Sequence, residues 1–330
     1  MSRETVDRRT FLKITGGAGA AVSLAGCTGG DSASESTPES GDDTDTTATA
    51  TETAESAERF DLTVTAGQMD SGLDQQDHAE TTTDNIVIQA YEGLLDRDKT
   101  GGIIEGLATG YERVEPGVVR FTLREGVTFH NGDALTPEDA AFSIRRIVFE
   151  DVGIPSPQNT DLGTIAEVTP GDGDLTITFE GLNPIAFQLF ATNGEIMQQS
   201  WVEEHDTDFI NQNTNGTGPF TVTSYDSGNE IVFEAYDDYW QGTPDVETLT
   251  WNAASESSTR VNRILQGESD ITVNVPPQEI NRVQNSENAN IAPVPSTRII
   301  FLQMRYDLEP FSSKKFRQAL NYAVDLDSII

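Results

Sequence analysis

From Arg59 onward the apolar positions alternate between a period of two and a period near three and a half, the pattern of strands interleaved with helices. Leu62, Val64 and Ala66 alternate with polar neighbours and predict a first strand. Ile86, Val87, Ala90, Tyr91, Leu94 and Leu95 recur at helical spacing, so a helix is expected over 85–95. Val119, Phe121 and Leu123 predict a strand, and Val127 with Phe129 a second short one, separated by the turn residues Arg124-Glu125-Gly126. Thr136-Pro137-Glu138-Asp139 predicts a helix start. Thr136 can cap, Pro137 suits the first helical position, and the two carboxylates favour the positive end of the helix dipole. That helix is expected to run to about Phe149 and to bury Ala141, Phe142, Ile144, Ile147 and Val148. Leu175, Ile177 and Phe179 predict a strand, and 220–223 with 231–235 a hairpin. Val261, Ile264 and Leu265 predict a helix that Gly267 ends, followed by a strand over 270–273. The class is therefore mixed α/β.

The first 58 residues lack this patterning. Asp7-Arg8-Arg9-Thr10-Phe11-Leu12-Lys13 has the form of a twin-arginine export signal, with Arg8 and Arg9 as its pair. Residues 14–26 form a short uncharged stretch, below the roughly 20 residues a membrane-spanning helix needs, so they read as the core of a signal peptide. Leu24-Ala25-Gly26-Cys27 resembles a lipobox, which makes Cys27 the expected lipid attachment site. Residues 28–58 hold nine acidic and no basic residues among Ser, Thr, Gly and Ala. Such a composition cannot bury enough apolar surface to offset ordering entropy, and it is expected to act as an extended tether.

Charge narrows the choice of partners. The formal net charge is −35, of which residues 59–330 carry −28, and lysine occurs only four times. A surface this acidic has no basic face for nucleic acid or an anionic membrane. Its self-repulsion is relieved when molar salt shortens the Debye length to about 3 Å, so a high-salt milieu is expected. The single cysteine excludes an internal disulfide framework. His78, His130 and His205 match no metal spacing, and no Gly-x-Ser-x-Gly elbow or P-loop occurs. Catalysis has little support, and neither a cofactor nor a metal is expected.

Several motifs are similar to those of the family 5 extracellular solute-binding proteins, the dipeptide, oligopeptide and nickel-type receptors of ABC importers. They are Tyr91-Glu92-Gly93-Leu94, the run from Phe121 to Asp133, Leu135-Thr136-Pro137-Glu138-Asp139, Gly216-Thr217-Gly218-Pro219-Phe220, Tyr239-Trp240, Gly267-Glu268-Ser269-Asp270-Ile271, and Phe316-Arg317-Gln318-Ala319-Leu320. Tyr91, Phe121, Phe129, Phe142 and Trp240 are read as packing residues, so the motifs point to the fold more than to the pocket. The resemblance implies a two-lobe fold of the periplasmic-binding-protein type (type II), with most of the second lobe lying outside a chain that stops at Ile330.

On that resemblance the chain divides into a signal peptide (1–26) and a lipid-anchored acidic linker (27–58). A first segment of lobe 1 (59–92), an inserted subdomain (93–183) and a second segment of lobe 1 (184–297) follow. A hinge with the start of lobe 2 (298–330) closes the series, its crossing stretch running from Arg298 to Gln303. The resemblance also places Ala79, Glu80 and Thr81 beside the ligand as an added strand, and Val273 and Asn274 in a second cleft segment. The implied function is capture of a small solute, foremost a di- or oligopeptide, by a monomer anchored by lipid on the outer face of the cytoplasmic membrane, for delivery to an ABC permease. A nickel-chelate or short-saccharide receptor on the same fold is the alternative within the class, and a secreted hydrolase the alternative outside it.

Overall fold

The computed structural model describes residues 59–149, 151–293 and 301–325. Eleven strands and eight helices are found among them. In chain order they are β1 (Phe60–Ala66), α1 (Thr81–Val87), β2 (Leu95–Arg97), β3 (Ile103–Glu105), β4 (Ala108–Glu115), β5 (Val118–Leu123), α2 (Pro137–Val148), β6 (Ile165–Pro170) and β7 (Asp174–Phe179). Then come α3 (Ala186–Phe190), α4 (Gln199–Glu204), α5 (Thr207–Ile210), β8 (Phe220–Asp226), β9 (Glu230–Ala235) and β10 (Val246–Ala253). The last are α6 (Ser257–Gln266), β11 (Ile271–Thr272), α7 (Pro277–Gln284) and α8 (Lys314–Ala323).

Two sheets carry the architecture. The first has the order β11-β1-β10-β9-β8, with β1 parallel to both of its neighbours and the other pairs antiparallel. Its register sets Val64 opposite Trp251 on one side and Ile271 on the other. The inward positions of β1, Val64 and Ala66, join Ile86, Val87, Tyr91, Ile231, Phe233 and Trp251 in one core. The second sheet, β4-β5-β7-β6, is wholly antiparallel. Val119, Phe121, Leu175 and Ile177 line its inner face and meet Ile144 and Ile147 of α2 in a second core. In both sheets the period-two pattern decides which side chains face inward.

Helix α2 begins as the sequence predicts. Thr136 accepts from the Asp139 N–H at 3.2 Å, and Asp139 accepts from the Thr136 N–H at 3.0 Å, a reciprocal cap. Its buried face is wider than the apolar pattern shows, because Asp139, Ser143 and Arg146 are buried as well. Gly267 ends α6 in the left-handed conformation, at φ 75°. Three expectations need correction. The helix placed over 85–95 starts at Thr81 and stops at Val87, because Glu80 supplies the cap and residues 88–90 turn the chain ahead of Tyr91. Val127 and Phe129 form no strand; only Thr128 bridges to Ala134 around the Asn131-Gly132 turn. The strand over 270–273 shortens to two residues, since Asn274 turns left-handed at φ 58°.

Candidate functional site

The three parallel strands β1, β10 and β11 point their carboxyl ends in one direction, and in open α/β sheets that end is where ligands bind. Both expected cleft segments emerge there. Val273 and Asn274 follow β11 directly and are exposed. The other segment returns to the same rim after a loop: a Cβ placed on Gly67, next after β1, would lie 3.5 Å from Thr82 Oγ1. Strand β11 is fastened to β1 by the Ser269-Asp270 pair of its motif. Ser269 Oγ hydrogen-bonds Thr65 Oγ1, and Asp270 accepts from the Thr63 N–H at 2.9 Å. Thr272 Oγ1 donates to the Thr65 carbonyl at 2.9 Å.

The two sides of the rim differ in what they offer. Ala79 is exposed coil, whereas Thr81 is already the first residue of α1. Glu80 accepts from the Thr82 and Thr83 N–H groups, each at 2.9 Å, and from Thr83 Oγ1 at 2.5 Å. Burial disfavours its ionised form, but these donors outweigh burial and hold the Glu80 carboxyl below its ordinary pKa. Its charge is thus committed to the helix start. Glu80 has extended backbone and Thr81 is helical, so the last of the three residues expected over 79–81 lies in α1. On the other side, the left-handed Asn274 redirects the chain between β11 and α7.

A buried ion pair positions the loop that leads to Ala79. Asp74 and Arg146 form two parallel hydrogen bonds, at 3.0 and 2.5 Å, with side chains 0% and 4% exposed. Arg146 also donates to Gln76 Oε1 at 3.0 Å. Gln76 Nε2 reaches the carbonyls of Ser143 at 3.2 Å and Glu195 at 3.0 Å. His78 is buried with its Nδ1 3.4 Å from Asp84 Oδ1. Burial dominates over the nearby carboxylates and lowers the His78 pKa, so the ring is neutral. None of these partners stood out in the sequence, because a charged residue on a helix reads as solvent-facing until its mate, here 72 residues away, is known.

The motif residues gather elsewhere, at the seam between the two cores. Glu92 accepts from Thr217 Oγ1 at 2.8 Å, Tyr239 Oη at 2.8 Å and Trp240 Nε1 at 3.0 Å. Burial pushes its carboxyl pKa up, and the three donors offset only part of that. Arg124 lies over the Trp240 ring, 4.1 Å from its centroid. His130 Nε2 donates to the Gly218 carbonyl at 3.0 Å, and its Nδ1 accepts from the Gly216 N–H at 3.3 Å. A Cβ on Gly216 would sit 1.9 Å from the Ala90 carbonyl oxygen, so the close approach requires glycine. Phe121 and Phe129 are fully buried. A groove of about 640 Å³ between α2 and the α4–α5 pair, lined in part by Phe142, Arg145 and His205, contains none of the five rim residues.

The family model for bacterial extracellular solute-binding proteins, family 5, matches residues 102–330. The chain belongs to this family. A model of the twin-arginine translocation signal matches residues 5–25, so the protein is an extracytoplasmic one. The glutathione-binding protein GsiB of Pectobacterium atrosepticum is 24% identical over 277 residues, covering 82% of this chain and 53% of that protein. The dipeptide-binding protein of Escherichia coli is 26% identical over 281 residues, 76% of this chain and 51% of that one. Among solved structures, NikZ from Campylobacter jejuni in complex with Ni(L-His) superposes with a TM-score of 0.69 at 21% identity, covering 82% of this chain and 54% of that one. The chain spans about half the length of the curated relatives it matches. The shared architecture confirms the α/β solute-binding-protein fold expected from the motifs. Family 5 proteins are transport receptors. Arg8, Arg9, Cys27 and Arg298 lie outside the described residues. Phe301 and Leu302, within the expected hinge, are exposed at 73% and 70%. No described helix is long and apolar enough to cross a membrane.

Proposed function

We propose that the protein is the solute-capturing receptor of an ABC importer and that its solute is a short peptide, which it delivers to a membrane permease. The observation that carries this reading is the rim at the carboxyl ends of β1 and β11. There Ala79, Val273 and Asn274 are exposed and the Glu80 carboxylate is spent on its own helix, so the rim carries little free side-chain charge. Main-chain pairing binds a peptide without reading its side chains, which suits a receptor for many short peptides. The names of the relatives, which specify dipeptide and glutathione, agree with this class of ligand. Val273 and Asn274 are both exposed there, and Asn274 offers a polar side chain. No step of chemistry on the ligand is required. Binding shifts an open–closed equilibrium, and the closed form is the state the permease reads.

The test is amide chemical-shift perturbation with an unbiased set of di- to pentapeptides, with nickel–histidine and a trisaccharide as rival ligands. Shifts concentrated at Ala79–Thr81 and Val273–Asn274 with peptides are the expected result. Shifts there with nickel–histidine or sugar alone would overturn the peptide assignment.

The same proposal places the protein on the outer face of the membrane as a monomer, held by lipid at Cys27 after export through the Arg8-Arg9 signal. Its acidity, −28 over residues 59–330, fits a high-salt exterior. Cys27→Ser is expected to move the protein from membrane to medium in fractionated cells. Retention of the variant on washed membranes counts against the anchor.

A further inference from the structure

The rim residue Ala79 follows directly on a histidine whose ring has no hydrogen bond. His78 is 4% exposed, and both of its ring nitrogens are buried without a hydrogen-bond partner. A neutral imidazole has one N–H to give and one lone pair to fill, and both go unmet here. Asp84 Oδ1 is 3.4 Å from Nδ1, on a side chain that is itself 43% exposed. The main chain is better fastened than the ring. The His78 carbonyl accepts from Gln158 Nε2 at 3.0 Å, and the same amide donates to the Gln75 carbonyl at 2.7 Å. Asp77 and Ala79, on either side of His78 in sequence, are exposed. A local change of the 77–79 backbone therefore suffices to bring the ring to water.

The charged groups about the ring come from every neighbouring element. Asp74 and Asp77 lie in its own loop, and Glu80 and Asp84 belong to the cap and body of α1. Asp84 in turn interacts with Asp161, ahead of β6, and with Glu195, ahead of α4. Arg146 of α2 is the cation among them, and Asp74 and Gln76 occupy it. Burial works against a charged ring, while Asp84, Asp74, Glu80 and Asp77 all favour one. Burial prevails, so His78 in its seat holds a proton less tightly than an imidazole in water. That order sets the direction of the response to acid. A proton favours whichever conformation binds it better, and that is the one with the ring in water.

We propose that His78 is a positioning residue for the rim: its neutral ring, seated inside, keeps Ala79 where a solute meets it, and protonation drives the ring out and takes Ala79 with it. Acid then loosens the rim. The inference rests on Ala79 belonging to the solute surface, as proposed above, and makes a proton at His78 the competitor of the solute.

The full chain is followed by NMR and by peptide titration calorimetry at constant salt, from about pH 8 to about pH 4.5, a range that brackets the ordinary imidazole pKa of about 6.5. The chain has three histidines, so the ring signal of His78 is assigned by its loss in His78→Phe. Its midpoint is expected below 6.5, and the Ala79 amide shift should follow the same curve. One pH unit below that midpoint about a tenth of the rings are neutral, so the apparent Kd of a bound peptide should rise about tenfold. His78→Phe should remove that rise. Glu195→Gln should keep it, although burial pushes the Glu195 carboxyl up to about 7 and makes it the other group that titrates nearby. Affinity that stays level while His78 titrates overturns the inference and leaves the peptide reading standing. A response lost in Glu195→Gln, or a ring that takes no proton in this range, overturns it too. Binding of no peptide at any pH defeats the peptide reading, and the Ala79 amide then decides the inference alone. A shift that tracks the ring supports it, and an unmoved one means that the charged ring stays beside Asp84 and sinks it. Should His78→Phe not fold, the same comparison runs on the unsubstituted chain, with His130→Gln and His205→Gln assigning the ring by elimination.

Discussion

The seam around Glu92 and the rim around Ala79 are built on opposite plans. At the seam, residues from four separate stretches converge through side chains: Glu92, His130, Thr217 and the Tyr239-Trp240 pair. Each has a required partner, and Gly216 cannot accept even a methyl group. At the rim, the exposed positions Ala79, Val273 and Asn274 contribute mainly backbone, and Glu80 spends its carboxylate on its own helix. The seam therefore carries the recognisable motifs, while the rim leaves almost no signature. Strong sequence signals in this chain mark what holds it together, and the surface we propose for the solute is chemically plain.

Substitutions can break this contrast or sharpen it. The largest effect is expected at the ion pair that supports the rim from below. Arg146→Ala leaves Asp74 buried and uncompensated and should destabilise the fold by about 3–5 kcal/mol, measured by denaturant unfolding. A loss under about 1 kcal/mol would mean the pair is not formed in solution.

Next is the acid response of the seam. Burial lowers the His130 pKa from 6.5 to about 4, with the Gly218 carbonyl opposing it weakly. The folded state thus prefers neutral imidazole, and protonation would remove the acceptor that Gly216 N–H uses. This contribution to stability is complete above pH 6.5 and is lost as pH falls toward 4, a decline on the order of 2–3 kcal/mol. His130→Gln should flatten that part of the stability–pH profile. An unchanged profile would assign the acid sensitivity to the carboxylates instead.

The smallest effect on stability, and the largest on binding, is expected at the rim. Val273→Lys should change the unfolding midpoint by less than about 0.5 kcal/mol, because the side chain is 39% exposed and few contacts are lost. Peptide affinity should nevertheless fall, measured by titration calorimetry. Equal affinity would place the solute away from β11.

The contrast also explains what could be read from the sequence. Helix α2 was legible at its start because Thr136, Pro137 and Asp139 are local neighbours, and local capping needs no knowledge of the rest of the chain. Its buried polar face was not, since Arg146 and Ser143 are stabilised by Asp74 and Met197, far away in sequence. The start of α1 was missed for a similar reason. Periodicity begins to show only at Ile86, whereas the helix begins five residues earlier on a cap made by Glu80, a residue type that rarely leads at that position. Strand β10 escaped because Val246, Thr248 and Thr250 are only partly buried beside the inward Leu249 and Trp251, which blurs the alternation. The two rim segments are named by the family likeness alone, because their own residue types give no sign.

The order of strands in the first sheet has a consequence for the time course of synthesis. Strand β1 is made first, yet its two neighbours lie near residues 250 and 271. The sheet containing β4 to β7 closes over a short stretch of chain and can form early, since nearby pairings cost little loop entropy. Strand β1 must wait with both edges bare until almost the whole described body has left the ribosome, and bare edges invite wrong partners. An exporter that threads unfolded chain would carry this vulnerable state across the membrane. The twin-arginine route accepts a chain whose first strand has already been closed in on both sides, so the leader at residues 5–25 and the crossing order of β11, β1 and β10 answer the same hazard.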